Sequence, residues 1–254
     1  MKGSLTIVGL GPGGADMTTP VAWQALREAT DLVGYATYLA RIPVVSSGQR
    51  RHESDNRFEI DRARHALQLA SEGRQVAVVS GGDPGVFAMA AAVFEAIETG
   101  EAHWRTLAVR VEPGVTAMLA AAAEAGAPLG ADFCAISLSD NLKSWATIER
   151  RLEAAARGDF VIALYNPASR ARPHQLGQAF DLLRQWKLSG TVVVFARAAG
   201  TPEAKLEVTT LADAHKRTAD MRTLVIIGSS ATRVIPRADA SPWVYTPRSE
   251  GVAE

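Results

Sequence analysis

Short runs of consecutive apolar residues alternate along the chain with stretches whose apolar positions recur every three to four residues. Runs of the first kind predict buried strands at 5–8, 32–33, 76–79, 107–111, 133–138, 160–164, 191–196, 206–209 and 223–227. The second kind predicts helices over 20–29, 59–71, 86–97, 175–186 and 212–218, an alanine-rich helix ending at Ala125, and one from a Ser144 cap to Ala156. Ile60, Ala63, Leu67 and Ala70 fall on one face of the second of these. Thr19 before Pro20 is an N-cap followed by proline at the first helical position. Residues 46–58 are polar and arginine-rich and read as a loop. Gly126 to Asp132 combines turn residues with little periodicity and reads as a linker. The alternation predicts an α/β fold in two domains, 1–127 with glycine-rich loops and 132–245 with a mixed sheet. The tail from Ser241 is expected to be loosely ordered, with Trp243 and Tyr245 as anchors.

Composition narrows the class. The 254 residues carry 27 Lys+Arg against 27 Asp+Glu, a formal net charge of zero. That balance argues against a non-specific nucleic-acid binder. One cysteine excludes a disulfide framework or a Cys-built zinc site. His52, His65, His103, His174 and His215 lack ligand spacing, so no metal is expected. Neither a membrane-spanning apolar run nor a signal-peptide core is evident, and a soluble cytoplasmic enzyme or binding protein is the expectation. Of the 27 basic residues 22 are arginine, whose planar fork matches carboxylates.

Three glycine loops each follow a predicted strand: Gly9-Leu10-Gly11-Pro12-Gly13-Gly14, Ser80-Gly81-Gly82-Asp83-Pro84-Gly85-Val86 and Pro113-Gly114-Val115-Thr116-Ala117. The first satisfies G-x-G-x-x-G, a dinucleotide fingerprint. Pro12 removes an amide donor, however, and the next helix opens only at Pro20. A ribose-binding acid should end the second strand, whereas Asp31 precedes it. In the second loop Asp83-Pro84 also reads as a helix cap, and Thr116 could cap the helix after the third. Together the loops predict one small-molecule pocket at the carboxyl ends of the strands.

As a set, in order and spacing, these loops resemble the tetrapyrrole methylase family over nearly the whole chain. The resemblance implies two α/β domains with the ligand cleft between them, usually in a homodimer, and S-adenosylmethionine as the methyl donor. A tetrapyrrole of siroheme or cobalamin synthesis is the implied substrate, and no nucleic-acid or membrane partner is expected. Donor contacts carry over to Gly11, Pro12, Gly81, Gly82, Asp83, Val86, Thr116, Ala117, Tyr165 and Asn166, with Ala199 and Gly200 closing the adenosine side. Residues 33–38, 136–140, 163–169 and 221–228 are similar to the ring-contracting branch of corrin synthesis, although Ala168 stands where a basic residue is expected.

Methyl transfer from a sulfonium is an in-line displacement in which positioning contributes up to about 7–11 kcal/mol. Ring contraction adds the removal of a hydroxyl proton, for which Ser139 and Asp140 are the catalytic candidates; Ser-Asp-Asn equally reads as a turn. A flat macrocycle bearing carboxylates should meet Arg50, Arg57, Arg170 and Arg172 on loops, with Tyr35 and Tyr38; a solvated basic face is the alternative. Arg62 and Arg64 lie on a helix and are expected to face solvent. Three other functions stay open: a corrin methylase acting on a different ring carbon, an NAD(P)-binding oxidoreductase, and a non-enzymatic interaction module.

Overall fold

The computed structural model describes residues 3–44, 48–55, 58–238 and 240–249. The chain forms two compact units, Met1–Ala117 and Met118–Glu254.

The first unit holds strands β1 (Ser4–Gly9), β2 (Asp31–Tyr35), β3 (Arg50–Ser54), β4 (Gln75–Ser80) and β5 (Ala108–Glu112) in the order β3-β2-β4-β1-β5. Every pairing is parallel, so crossover helices must cover the sheet. These are α1 (Pro20–Glu28), α2 (Ala36–Leu39), α3 (Glu59–Ser71) and α4 (Met89–Thr99). The Thr19 hydroxyl accepts from the Ala22 amide at 3.2 Å, the expected cap. Ile7, Val33 and Val78 pack against Ala63, Leu67 and Val93 in one buried cluster. Val8, Leu32 and Val79 pack against Ala22 and Leu26 in another. β1, β2 and β4 are mostly apolar because both their faces are covered.

Three expectations are corrected here. The 46–58 loop contains β3, whose polar sequence hides its strand character. β3 is an edge strand held by its backbone pairing with β2, and edges tolerate charge. Its side chains bond inward: Arg51 donates to the carbonyls of Leu39, Ile42 and Pro43. α4 starts at Met89 rather than 86, because Phe87 takes a left-handed φ of 53° that a helix cannot contain. Arg62 is buried, not solvent-facing; it donates to the Ser54 hydroxyl and the Asp55 carbonyl, tying β3 to α3.

In the second unit β7 (Phe133–Ser137), β8 (Val161–Tyr165), β9 (Val192–Arg197), β10 (Lys205–Thr210) and β11 (Thr223–Ile227) form a sheet in the order β10-β9-β11-β8-β7. It is mixed, as expected: β7 and β8 are parallel and the other pairs antiparallel. α6 (Trp145–Arg157), capped by Ser144, and α7 (Gln175–Leu183) pack on it through Ile148, Leu152, Phe180 and Leu183. The helix expected over 212–218 shrinks to one 3-10 turn, Ala214–Lys216. A further sheet corrects the linker reading. β6 (Gly126–Ala127), which follows α5 (Ala117–Ala125), pairs with β13 (Trp243–Tyr245) beside β12 (Arg233–Ile235), so this part of the tail is held as a strand.

Each main sheet also carries an ion cluster at the start of one of its strands, β2 in the first unit and β8 in the second. In the first unit Asp31, fully buried, accepts from Arg74, Thr30 and His52. Burial alone would raise its pKa, but these bonds hold it at about 2. His65 bonds in turn to His52 at 3.0 Å. In the second unit Asp159 pairs with the buried Lys187 at 3.0 Å and accepts from Ser230. Asp159 is itself exposed; what desolvation it feels is outweighed by these bonds, and its pKa is lowered.

Candidate functional site

Because the first sheet is wholly parallel, the loops after β1, β2, β4 and β5 all emerge at one edge, opposite the Asp31 cluster. There the three glycine loops interlock. A Cβ on Gly9 would lie 2.8 Å from the Gly114 nitrogen and the Gly82 oxygen, and one on Gly114 would lie 2.3 Å from that oxygen. Gly11 and Gly82 exchange reciprocal backbone bonds at 3.1 and 3.0 Å. Asp83 does not cap α4. One of its carboxylate oxygens accepts from the Gly85 amide at 2.8 Å and the other from the Gly114 amide at 3.0 Å, fastening the second loop to the third. Glycine is therefore required here because the loops approach one another, a reason distinct from the ligand approach expected from sequence.

Gly82 is the exception. Its φ is +65° and its absent Cβ faces the Thr116 Cα and the Ala117 nitrogen at 3.9 and 4.0 Å, leaving a shallow cradle. Gly81 carries the Tyr38 ring, where a Cβ would lie 2.6 Å from Cζ. Tyr38 meets Tyr35 edge-on at 5.5 Å, and burial pushes its pKa up. Gly11, Pro12, Gly81, Gly82, Asp83, Val86, Thr116 and Ala117 are thus all on this loop cluster, with Tyr35 and Tyr38 at the end of β2 on the same edge. Arg50 is not: it opens β3 beside Asp31 at the other edge, which removes it from this set. Arg57 lies outside the described residues.

The dinucleotide fingerprint fails on its donors. Leu10 N–H donates to Ser80, Gly11 N–H to Gly82, and Pro12 has none, so the loop's leading amides cannot cradle a phosphate. Asp31 is engaged by Arg74 at the opposite edge.

In the second unit β7, β8 and β9 end at a common edge, since β8 and β9 both run antiparallel to β11 and β7 is parallel to β8. Ser139, Asp140, Tyr165, Asn166, Ala199 and Gly200 all lie just beyond or at these ends. Asn166 adopts a left-handed φ of 52° and donates from Nδ2 to the buried Ser137 hydroxyl at 2.9 Å; the Ser139 amide donates to the same oxygen at 3.3 Å. The Tyr165 hydroxyl accepts from the Met118 amide in the first turn of α5. The Gly200 amide donates to Glu124 at 2.6 Å. Arg170 sits exposed at the tip of a turn closed by reciprocal bonds between Ser169 and Arg172.

Arg172 departs from expectation. It is buried, donates to the Asn166 carbonyl, and forms an ion pair with Asp140 at 3.9 Å; its charge already faces a carboxylate of its own chain. The other Asp140 oxygen accepts from Gln175 at 3.3 Å. The buried Gln175 Oε1 has no hydrogen-bond partner among the described residues.

Sequence reasoning missed Arg41, Glu124 and Gln175, and gave Ser137, inside the 136–140 stretch, no role of its own. Nothing marks the first three: each is one ordinary residue in a loop or helix, and only the fold assigns its partners. Among the described residues no group of three His, Cys, Asp or Glu could hold a metal ion, and no helix is long and apolar enough to cross a membrane.

The profile of the Tetrapyrrole (Corrin/Porphyrin) Methylases matches residues 4–215. The chain is 54% identical over 248 residues to the precorrin-3B C(17)-methyltransferase of Sinorhizobium sp, covering 98% of this chain and 97% of that one. The crystal structure of the methyltransferase CobJ superposes with a TM-score of 0.91 at 54% identity, covering 96% of this chain and all of that one. A uroporphyrin-III C-methyl transferase from Thermus thermophilus, solved with S-adenyl homocysteine, shares the fold with a TM-score of 0.69 at 24% identity, covering 89% of this chain and 97% of that one.

Proposed function

The chain belongs to the tetrapyrrole (corrin/porphyrin) methylase family, and from that premise we propose that it methylates precorrin-3B at ring carbon 17 and contracts the ring to precorrin-4, in cobalamin biosynthesis. The observation that carries this reading is the 54% identity to a precorrin-3B C(17)-methyltransferase along nearly the full length of both chains. The methyl donor is S-adenosylmethionine, which when bound supplies a sulfonium-activated methyl group.

The cradle over Gly82, Thr116 and Ala117 fits a small ligand approaching the backbone, and the loop carrying Gly11 and Pro12 borders it through the Gly11–Gly82 bridge. These residues, with Gly81, Asp83 and Val86, are proposed to hold the donor, as are Tyr165, Asn166, Ala199 and Gly200. Their part is to orient it and exclude water, so that the reacting atoms meet in line.

Asp140 is proposed as the group that accepts the hydroxyl proton during ring contraction. Arg172 lies 3.9 Å from one of its oxygens and Gln175 donates to the other, and the neighbouring Ser139 offers a hydroxyl. Gln175 Oε1, buried without a partner, favours a polar ligand beside it. The exposed Arg170 is proposed to meet a substrate carboxylate, with Tyr35 and Tyr38 offering phenol donors. The protein is proposed to act as a cytoplasmic homodimer.

Incubation with S-adenosylmethionine and precorrin-3B, followed by structure determination of the product, tests the assignment. One added methyl at carbon 17 on a contracted ring is expected. A methyl on another carbon would reassign the step within the family. Binding of NAD but not S-adenosylhomocysteine would overturn the reading altogether. Asp140→Asn should bind S-adenosylhomocysteine normally yet contract the ring about 10²–10⁴-fold more slowly; contraction at the parent rate would make Asp140 a turn residue.

A further inference from the structure

Arg41 follows α2 and belongs to none of the three glycine loops, yet its guanidinium determines how the first one is held. A single nitrogen, Nη2, donates to the carbonyls of Leu10, Gly11 and Gly13 at 3.2, 3.0 and 2.6 Å. The other carbonyl partners of this loop complete the pattern. Leu10 O also accepts from the Thr18 hydroxyl at 2.7 Å, Gly11 O from the Gly82 amide, and Gly14 O from the Met17 amide. Among the described residues, the Pro12 carbonyl is then the only one from Leu10 to Gly14 without a protein donor.

We infer that Arg41 is a positioning residue for the methyl donor: by engaging the carbonyls on either side of Pro12, it leaves the Pro12 carbonyl as the loop's acceptor for a hydroxyl or amino group of that ligand. A guanidinium suits the task because its charge persists at any working pH and its N–H groups point in fixed directions. Burial pushes its pKa down, and the three carbonyls stand where solvent would otherwise meet the cation. Without it, three carbonyls would lose their shared donor, and the loop would re-form around Gly11, whose φ of +71° already lies where the backbone is permissive.

The inference rests on the reading that this loop holds the methyl donor, and the experiment separates the two. Calorimetry with S-adenosylhomocysteine is run first on the unaltered protein; absence of binding refutes the donor reading, and the Arg41 inference falls with it. If the protein binds, Arg41→Met should weaken affinity at least tenfold and raise the S-adenosylmethionine KM in step, with the tetrapyrrole KM within about twofold of the parent. Arg41→Ala, which leaves a guanidinium-sized gap, should regain most of its lost affinity in millimolar ethylguanidinium. Parent-like affinity in Arg41→Met would overturn the inference. So would a loss in Arg41→Ala that ethylguanidinium does not restore, or an equal loss toward the tetrapyrrole, since either marks a general structural defect.

Discussion

The two units build the edges that carry the candidate site residues by different means. In the first, the edge is assembled from backbone against backbone: Gly9 and Gly114 close on the Gly82 carbonyl because neither has a side chain, and Asp83 fastens amides. In the second, it is assembled from side chains: Ser137 receives the Asn166 amide, Arg172 and Gln175 hold Asp140, and Glu124 receives Gly200. A backbone-built edge has almost no room for substitution, because nothing in it can rotate away. A side-chain-built edge loses one bond at a time.

The sharpest way to break this comparison is Gly114→Ala. The new Cβ would stand 2.3 Å from the Gly82 oxygen, with no flexible side chain to yield. We expect a loss of about 3 kcal/mol in urea unfolding, the upper end for overpacking, and loss of S-adenosylhomocysteine binding. An unchanged unfolding midpoint would mean that the loops are not interlocked in solution. Ser137→Ala in the second unit should cost less, about 1–2 kcal/mol, the price of leaving the Asn166 amide and the Ser139 amide short of an acceptor. A cost equal to that of Gly114→Ala would erase the distinction between the edges. The smallest effect is expected at Gly177, which lies inside α7 where an added Cβ meets nothing within 4 Å. Gly177→Ala should stabilise by about 0.5–1 kcal/mol through helix propensity; a destabilised variant would show that the second unit also hides a close approach.

What the sequence made legible follows the same division. Strands covered on both faces, such as β1, β4 and β11, are mostly apolar and legible directly. β3 was missed because an edge strand needs only its backbone, and Arg50 to Ser54 is polar at every position. The glycine loops stood out because glycine after a strand is a local signal. Their reason was misread, since the mutual packing of three distant loops has no local trace. Arg62 looked like one of many helical surface arginines, and only the neighbouring β3 supplies the partners that bury it. For Arg172 the sequence suggests a substrate carboxylate; its pairing with Asp140, 32 residues away, has no local trace. Arg41 is one of 22 arginines, and no periodicity or spacing separates it from the others.

The interlocked glycines also bear on the order in which the chain folds. Asp83 and Gly114 are 31 residues apart, and Gly9 lies farther still from either. Contacts at such separation form only after the intervening loops have been closed. β4 and β5 must already flank β1 before Gly82 and Gly114 can meet Gly9. Closure of the cradle is therefore expected to follow the pairing of β4 and β5 with β1. Amide exchange at Gly11 and Gly82, whose N–H groups are bonded only to each other's loop, would report opening of the cradle separately from global unfolding. A ligand that binds only the closed cradle, present at a hundred times its Kd, would suppress the opening by about 2.7 kcal/mol.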